Sequence, residues 1–193
     1  MNTIQLENAI QNEPSLVKKF QGVFPIDKIP SKRTKGFYII NLDKSNEPGS
    51  HWICIRIRTK EKQNEFFDSY GYAPQSYLIK KFLGKKYIFN SKKLQHLYST
   101  TCGQWCLYYI YFSNQNVPLK EICQPFSSSH SYANDFFVNK MVCQLFQIKT
   151  KIVDENFLQK QIVRTLLENI QCCKYYCKLT SPKCIFKRKK KNK

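Results

Sequence analysis

Residues Leu94–Phe112 run LQHLYSTTCGQWCLYYIYF. A polar loop feeds Cys102-Gly103, and every residue from Trp105 to Phe112 is apolar or aromatic. That pattern predicts a helix from about Cys102 to Ser113, with the thiol at its N-terminus. The unpaired N–H groups and the positive dipole end there favour thiolate over thiol, and a thiolate is the nucleophile that peptide-bond chemistry needs. Gln95 stands seven positions ahead of Cys102 and offers an amide donor. Free cysteines are mostly structural, so Cys102 is set apart from them only by what the rest of the chain brings to it.

Working outward, the upstream segments read as strands. Lys35–Asp43 (KGFYIINLD) is rich in aromatic and β-branched residues, and a turn at Lys44–Ser50 carries Asn46, Pro48 and Gly49. Trp52–Thr59 (WICIRIRT) alternates apolar residues with arginine, which predicts one wet face. Glu65–Tyr70 (EFFDSY) supplies a third strand, and the short connections among these three favour antiparallel hairpins; Tyr87–Asn90 supplies a fourth strand. Helices are expected near Ile4–Ile10 (capped by Asn2 or Thr3), Leu16–Phe20, Ser76–Leu83 (closed by Gly84), Leu119–Cys123 and Tyr132–Gln147. The expected class is α+β, a small, mostly antiparallel sheet packed by helices. Residues 1–150 form the main domain; 151–193 add an amphipathic helix over Asp154–Ile170 and a Cys-rich polybasic tail.

His51 stands at the mouth of the second strand, after an exposing turn, and Asp68 at the end of the third. If the two strands form a hairpin, both side chains share one edge. A carboxylate beside an imidazole fixes its tautomer and stabilises the imidazolium, which lowers the pKa of a nearby thiol. His51, Asp68 and Cys102 thus supply base, orienter and nucleophile. The Gln95 side chain and the Cys102 N–H supply two oxyanion donors.

GSHW (49–52), FFDSYG (66–71) and Q-x6-CG-x2-C (95–106) resemble the adenain family, the adenovirus-type maturation proteases, and are closer still to members from Polinton/Maverick elements and adenovirus-like viruses. The resemblance covers roughly residues 35–147. It implies catalytic roles for His51, Asp68 and Cys102, an oxyanion role for Gln95 with Cys102, and a site shaped by Trp52 and Gly103. Asp68 stands where adenain has Glu; either carboxylate orients a histidine. The implied fold is papain-like, shared with SUMO proteases, whose glutamine lies one residue closer to the cysteine. The implied activity is endopeptidase cleavage of capsid or virion precursor polypeptides at Gly-Gly or Gly-x sites. No cofactor is required; DNA is a possible activator. No cysteine lies between Cys54 and Cys102, where adenain keeps the disulfide partner of its activating peptide, so peptide activation is not carried over.

Composition narrows the partners. At 193 residues, 42% hydrophobic and 15% aromatic, the chain is globular, and its formal charge of +19 favours a polyanion partner, nucleic acid first. Lys187, Arg188, Lys189, Lys190 and Lys191 form a basic tail that fits DNA contact or a nuclear-import address. No apolar run reaches the roughly eighteen residues of a membrane span, no signal-peptide pattern opens the chain, and nine irregularly spaced cysteines do not suggest a disulfide scaffold. A reducing intracellular setting, the virion and host nucleus, is expected, with a monomer and no membrane contact. Cys102 and Cys106, one helical turn apart, lack further ligands except His96, so no metal site is expected. Cys172, Cys173, Cys177 and Cys184 match no zinc spacing, and His130 is read as surface. Two other functions stay open: a ubiquitin-like (SUMO-type) deconjugating protease, which the resemblance implies through the same order of groups, and a basic virion DNA-binding protein with a vestigial protease domain, which fits the charge.

Overall fold

The computed structural model describes residues 1–59 and 61–148. The amphipathic segment Asp154–Ile170, the late cysteines and the basic tail Lys187–Lys191 lie outside the described residues. Within them the chain is α+β, with six α-helices and one five-stranded sheet in the order β1-β2-β3-β4-β5. The strands are β1 (Phe20–Pro25), β2 (Gly36–Asn41), β3 (Trp52–Ile57), β4 (Asn64–Phe67) and β5 (Tyr87–Phe89). The helices are α1 (Thr3–Gln11), α2 (Pro14–Val17), α3 (Tyr77–Leu83), α4 (Cys102–Asn114), α5 (Leu119–Cys123) and α6 (Ser131–Leu145).

The sheet is mixed, which corrects the expectation of a mostly antiparallel one. β2–β3 and β3–β4 are antiparallel, but β1–β2 and β4–β5 are parallel. A parallel pair needs a crossover, and α3 supplies it between β4 and β5. β1 lies where the sequence suggests a helix followed by a break. Its residues, FQGVFP, are only partly buried, so their pattern is weak, and pairing with fully buried β2 decides their conformation.

Helix signals in the sequence match the local chemistry. Asn2 and Gln5 form a reciprocal capping box on α1 (Gln5 N–H to Asn2 Oδ1, 2.9 Å; Asn2 N–H to Gln5 Oε1, 2.9 Å). Ser76 caps α3, and Gly84 ends it at φ 78°, a left-handed conformation that glycine adopts without steric cost. Central α4 is buried nearly all round, as a helix apolar on every side must be. It covers one face of the sheet, where Tyr109 stacks on Phe67 (4.7 Å between centroids) and meets Phe37 edge-on. The other face, with Tyr38, Ile40, Ile53, Ile55 and Phe66, packs under α3 through Ile79, Phe82 and Leu83.

The arginine face of β3 is largely covered and not open to solvent along its length. Arg56 and Arg58 lie on the α4 side, with side chains only 14% and 20% exposed. They turn inward because β4 supplies a buried counter-charge, Glu65. Glu65 pairs with Arg58 and accepts from the Tyr109 hydroxyl at 2.5 Å and from Ser113 Oγ at 3.3 Å. Arg56 bonds Ser113 Oγ at 2.7 Å and lies over the Phe37 ring. Among the described residues, no helix is long and apolar enough to cross a membrane.

Candidate active site

Cys102 is the first residue of α4 and is 8% exposed. Thr101, at the N-cap position, does not cap the helix with its side chain. Its hydroxyl instead donates to Asp135 Oδ1 on α6 (2.8 Å), and the Trp105 indole N–H donates to the same oxygen (2.7 Å). Asp135 Oδ2 accepts the backbone N–H of His96 at 2.9 Å. One buried carboxylate therefore holds the loop ahead of Cys102 and the first turn of α4 together.

The β3–β4 register pairs Cys54 with Phe67 and Ile55 with Phe66. Continued past the strand ends, it sets His51 opposite Tyr70 with Asp68 alongside. His51 Nε2 and Asp68 Oδ1 are 2.8 Å apart, and both residues are buried. Tyr70 donates its backbone N–H to that same Asp68 oxygen at 2.8 Å and stacks its ring on His51 at 4.6 Å. Asn90 clamps the Asp68 backbone from the other side: its Oδ1 accepts from the Asp68 N–H (3.0 Å) and its Nδ2 donates to the Asp68 carbonyl (2.6 Å).

The Cys102 sulfur lies close enough to His51 for each group to shift the other's titration. With Nε2 held by Asp68, Nδ1 is the nitrogen left for the thiol. Burial works against the imidazolium, but Asp68 and Cys102 outweigh it and push His51 up to about 9. Burial likewise opposes the Cys102 thiolate, yet His51 and the Trp52 backbone N–H bring its pKa below the usual thiol value. The other described cysteines go the opposite way. Burial raises Cys54, Cys106 and Cys143, and pushes Cys123 up to about 12.

This contrast gives a direct expectation. At neutral pH an alkylating reagent labels Cys102 faster than Cys54, Cys106, Cys123 or Cys143, as peptide mapping reports, and His51→Gln removes the preference. Uniform labelling would contradict the ion pair. The sign follows from the shifts: the thiolate is lost as pH falls through the depressed Cys102 value, and the imidazolium as pH rises through about 9. The stability that His51 gains from its partners is fully present below 6.5 and is lost as pH climbs through about 9.

The remaining residues singled out from the sequence surround this cluster. Trp52 donates its indole N–H to the Met1 carbonyl at 2.9 Å. Gly103 lets α1 close over α4, since a Cβ there would lie 3.1 Å from Met1 Cβ and 3.2 Å from Leu6 Cδ2. A cleft of about 330 Å³ borders Trp52, Met1 and the turn that precedes His51. Gln95 is fully buried beside Ser69, with its backbone N–H on the Ser69 carbonyl (3.0 Å) and its Oε1 accepting from Ser69 Oγ (2.6 Å). Its Nε2 donates to the Ser99 carbonyl at 2.9 Å and to the Tyr70 hydroxyl at 3.3 Å, so both amide hydrogens have partners.

Tyr70, Asn90 and Asp135 were not singled out in the sequence. Tyr70 lies within the FFDSYG motif and was within reach. Asn90 and Asp135 approach from 22 and 34 residues away along the chain and leave no local signal. Among the described residues no group of His, Cys, Asp and Glu is arranged to hold a metal ion. His96 packs against Tyr98 and Tyr132, and exposed His130 bonds Ser127 and Ser129. Compared with protein-family models and with curated proteins, the chain matches none.

Proposed function

We propose that the chain is a cysteine peptidase whose nucleophile is Cys102. The observation that carries the reading is the buried chain Asp68–His51–Cys102, with the thiol pKa lowered at Cys102 while burial raises it at the other described cysteines. More narrowly, we assign it to the adenain type in a papain-like arrangement. It cleaves capsid or virion precursor polypeptides at Gly-Gly or Gly-x sites, in the virion and host nucleus. The tail Lys187–Lys191 holds it on DNA.

In the mechanism the Cys102 thiolate attacks the scissile carbonyl, forming a tetrahedral oxyanion. The Cys102 N–H donates to that oxygen. Gln95 joins it by releasing the longer of its two bonds, to the Tyr70 hydroxyl, while Ser99 and Ser69 keep the amide in place. Imidazolium His51 protonates the leaving amine, and neutral His51 then takes a proton from the water that hydrolyses the thioester. Asp68 keeps the ring oriented, and Tyr70 closes one face of it to solvent.

The test is turnover by the full-length protein of a fluorogenic capsid-type peptide containing Gly-Gly, beside ubiquitin- and SUMO-C-terminal substrates. Cleavage of the free peptide with little activity on the folded modifiers is expected. Preference for a modifier would move the assignment to a deconjugating protease, and no turnover of any substrate would leave only a basic virion protein.

A further inference from the structure

The far end of the sheet from His51 holds a feature the peptidase reading does not use. A cavity of about 380 Å³ opens where β2 starts, β3 ends and the segment after α2 passes. Its charged lining is entirely cationic: Lys18, Lys19, Lys35, Arg56, Arg58 and Lys62. The remaining lining is neutral, and two described acids adjoin it: Glu65, already bonded to Arg58, Tyr109 and Ser113, and Glu61, which interacts with Thr59 and Lys62 at the rim. Two carboxylates do not balance six cations. Lys19 is positioned by a 2.7 Å bond from its Nζ to Asn114 Oδ1 at the end of α4, and Arg56 lies over the Phe37 ring.

We infer that this cavity is a binding site for a compact anion bearing clustered phosphate groups, such as a free polyphosphate. Its volume falls within the range of small-ligand sites. Arginine forks beside lysine ammonium groups match phosphate oxygens better than a single carboxylate. The cations ring a concavity and do not form a track, which suits a compact ligand over a nucleic-acid backbone. Such a ligand clamps β2, β3 and the end of α4 from the side opposite Cys102, and screens the mutual repulsion of the lysines. The inference stands independently of the peptidase assignment.

The experiment is calorimetric titration of the full-length protein with sodium tripolyphosphate, and separately with a DNA duplex. Saturable tripolyphosphate binding is expected, weakened at least tenfold by Lys18→Glu with Lys62→Glu, both exposed positions. Lys189→Glu with Lys190→Glu, in the basic tail, leaves it within about twofold. In a thermal melt, a hundredfold excess over Kd raises Tm by roughly 5–10 °C in the natural protein and not in the pocket variant. Equal loss in the tail variant, or binding of DNA through the pocket pair without saturable tripolyphosphate binding, would overturn the inference.

Discussion

Cys102→Ala abolishes peptide cleavage, by a factor on the order of 10⁴ or more, and leaves the fold intact. The size of the loss follows from the role: without sulfur there is no thioester, and no nearby group replaces it. Cys106, one turn along α4, is fully buried and its thiolate is strongly disfavoured. The stability change is small because a single sulfur atom is removed, costing about 1 kcal/mol. Progress curves at high enzyme concentration, with circular dichroism and urea unfolding as fold controls, make the comparison. Residual turnover above a few per cent would remove Cys102 from the nucleophile's role. Loss of activity together with loss of structure would also count against the assignment, because removing one sulfur atom is too small a change to unfold the protein.

Glu65→Ala destabilises the protein by about 3–5 kcal/mol, read as a fall in the urea midpoint. The carboxylate is 2% exposed and has four partners: Arg58, Arg56 (3.9 Å), the Tyr109 hydroxyl (2.5 Å) and Ser113 Oγ (3.3 Å). Removing it leaves two guanidinium groups facing each other and a fully buried phenol without its acceptor. Glu65→Gln keeps an acceptor for Tyr109 and loses less. The effect reaches the site because the network ties together the elements that carry it. Arg56 is on β3, which starts next to His51; Glu65 is on β4, which ends next to Asp68; Tyr109 and Ser113 are on α4, which starts with Cys102. Loosening that end lowers cleavage before the protein unfolds. A stability change below about 1 kcal/mol would show that the arginines find other partners.

The helices were largely legible because their signals are local. Pro118 before α5, Ser76 and Gly84 around α3, and the Asn2–Gln5 box on α1 each act within a turn of the chain. The pairing of β3 with β4 was legible from the short connection and the two apolar runs. β1 was not, since a half-buried edge strand has little pattern of its own. The arginines of β3 were misread as solvent-facing, because whether a charge goes inward depends on a counter-charge from another strand.

For the candidate site, the sequence by itself supplied the reactive types and their chain order: His51 after an exposing turn, Asp68 at a strand end, Gln95 in a loop and Cys102 at a helix start. Only the tertiary structure decided that His51 Nε2 faces Asp68, that partners lower the Cys102 pKa against burial while burial raises it at the other described cysteines, and that Gln95 is already bonded to Ser99 and Tyr70. It also brought in Asp135 and Asn90, which hold the loop and the acid in place. The reason is physical. Residue type and helix-end chemistry act over a few neighbours, whereas pKa and hydrogen-bond occupancy depend on what the fold packs within a few ångströms, whatever its distance along the chain.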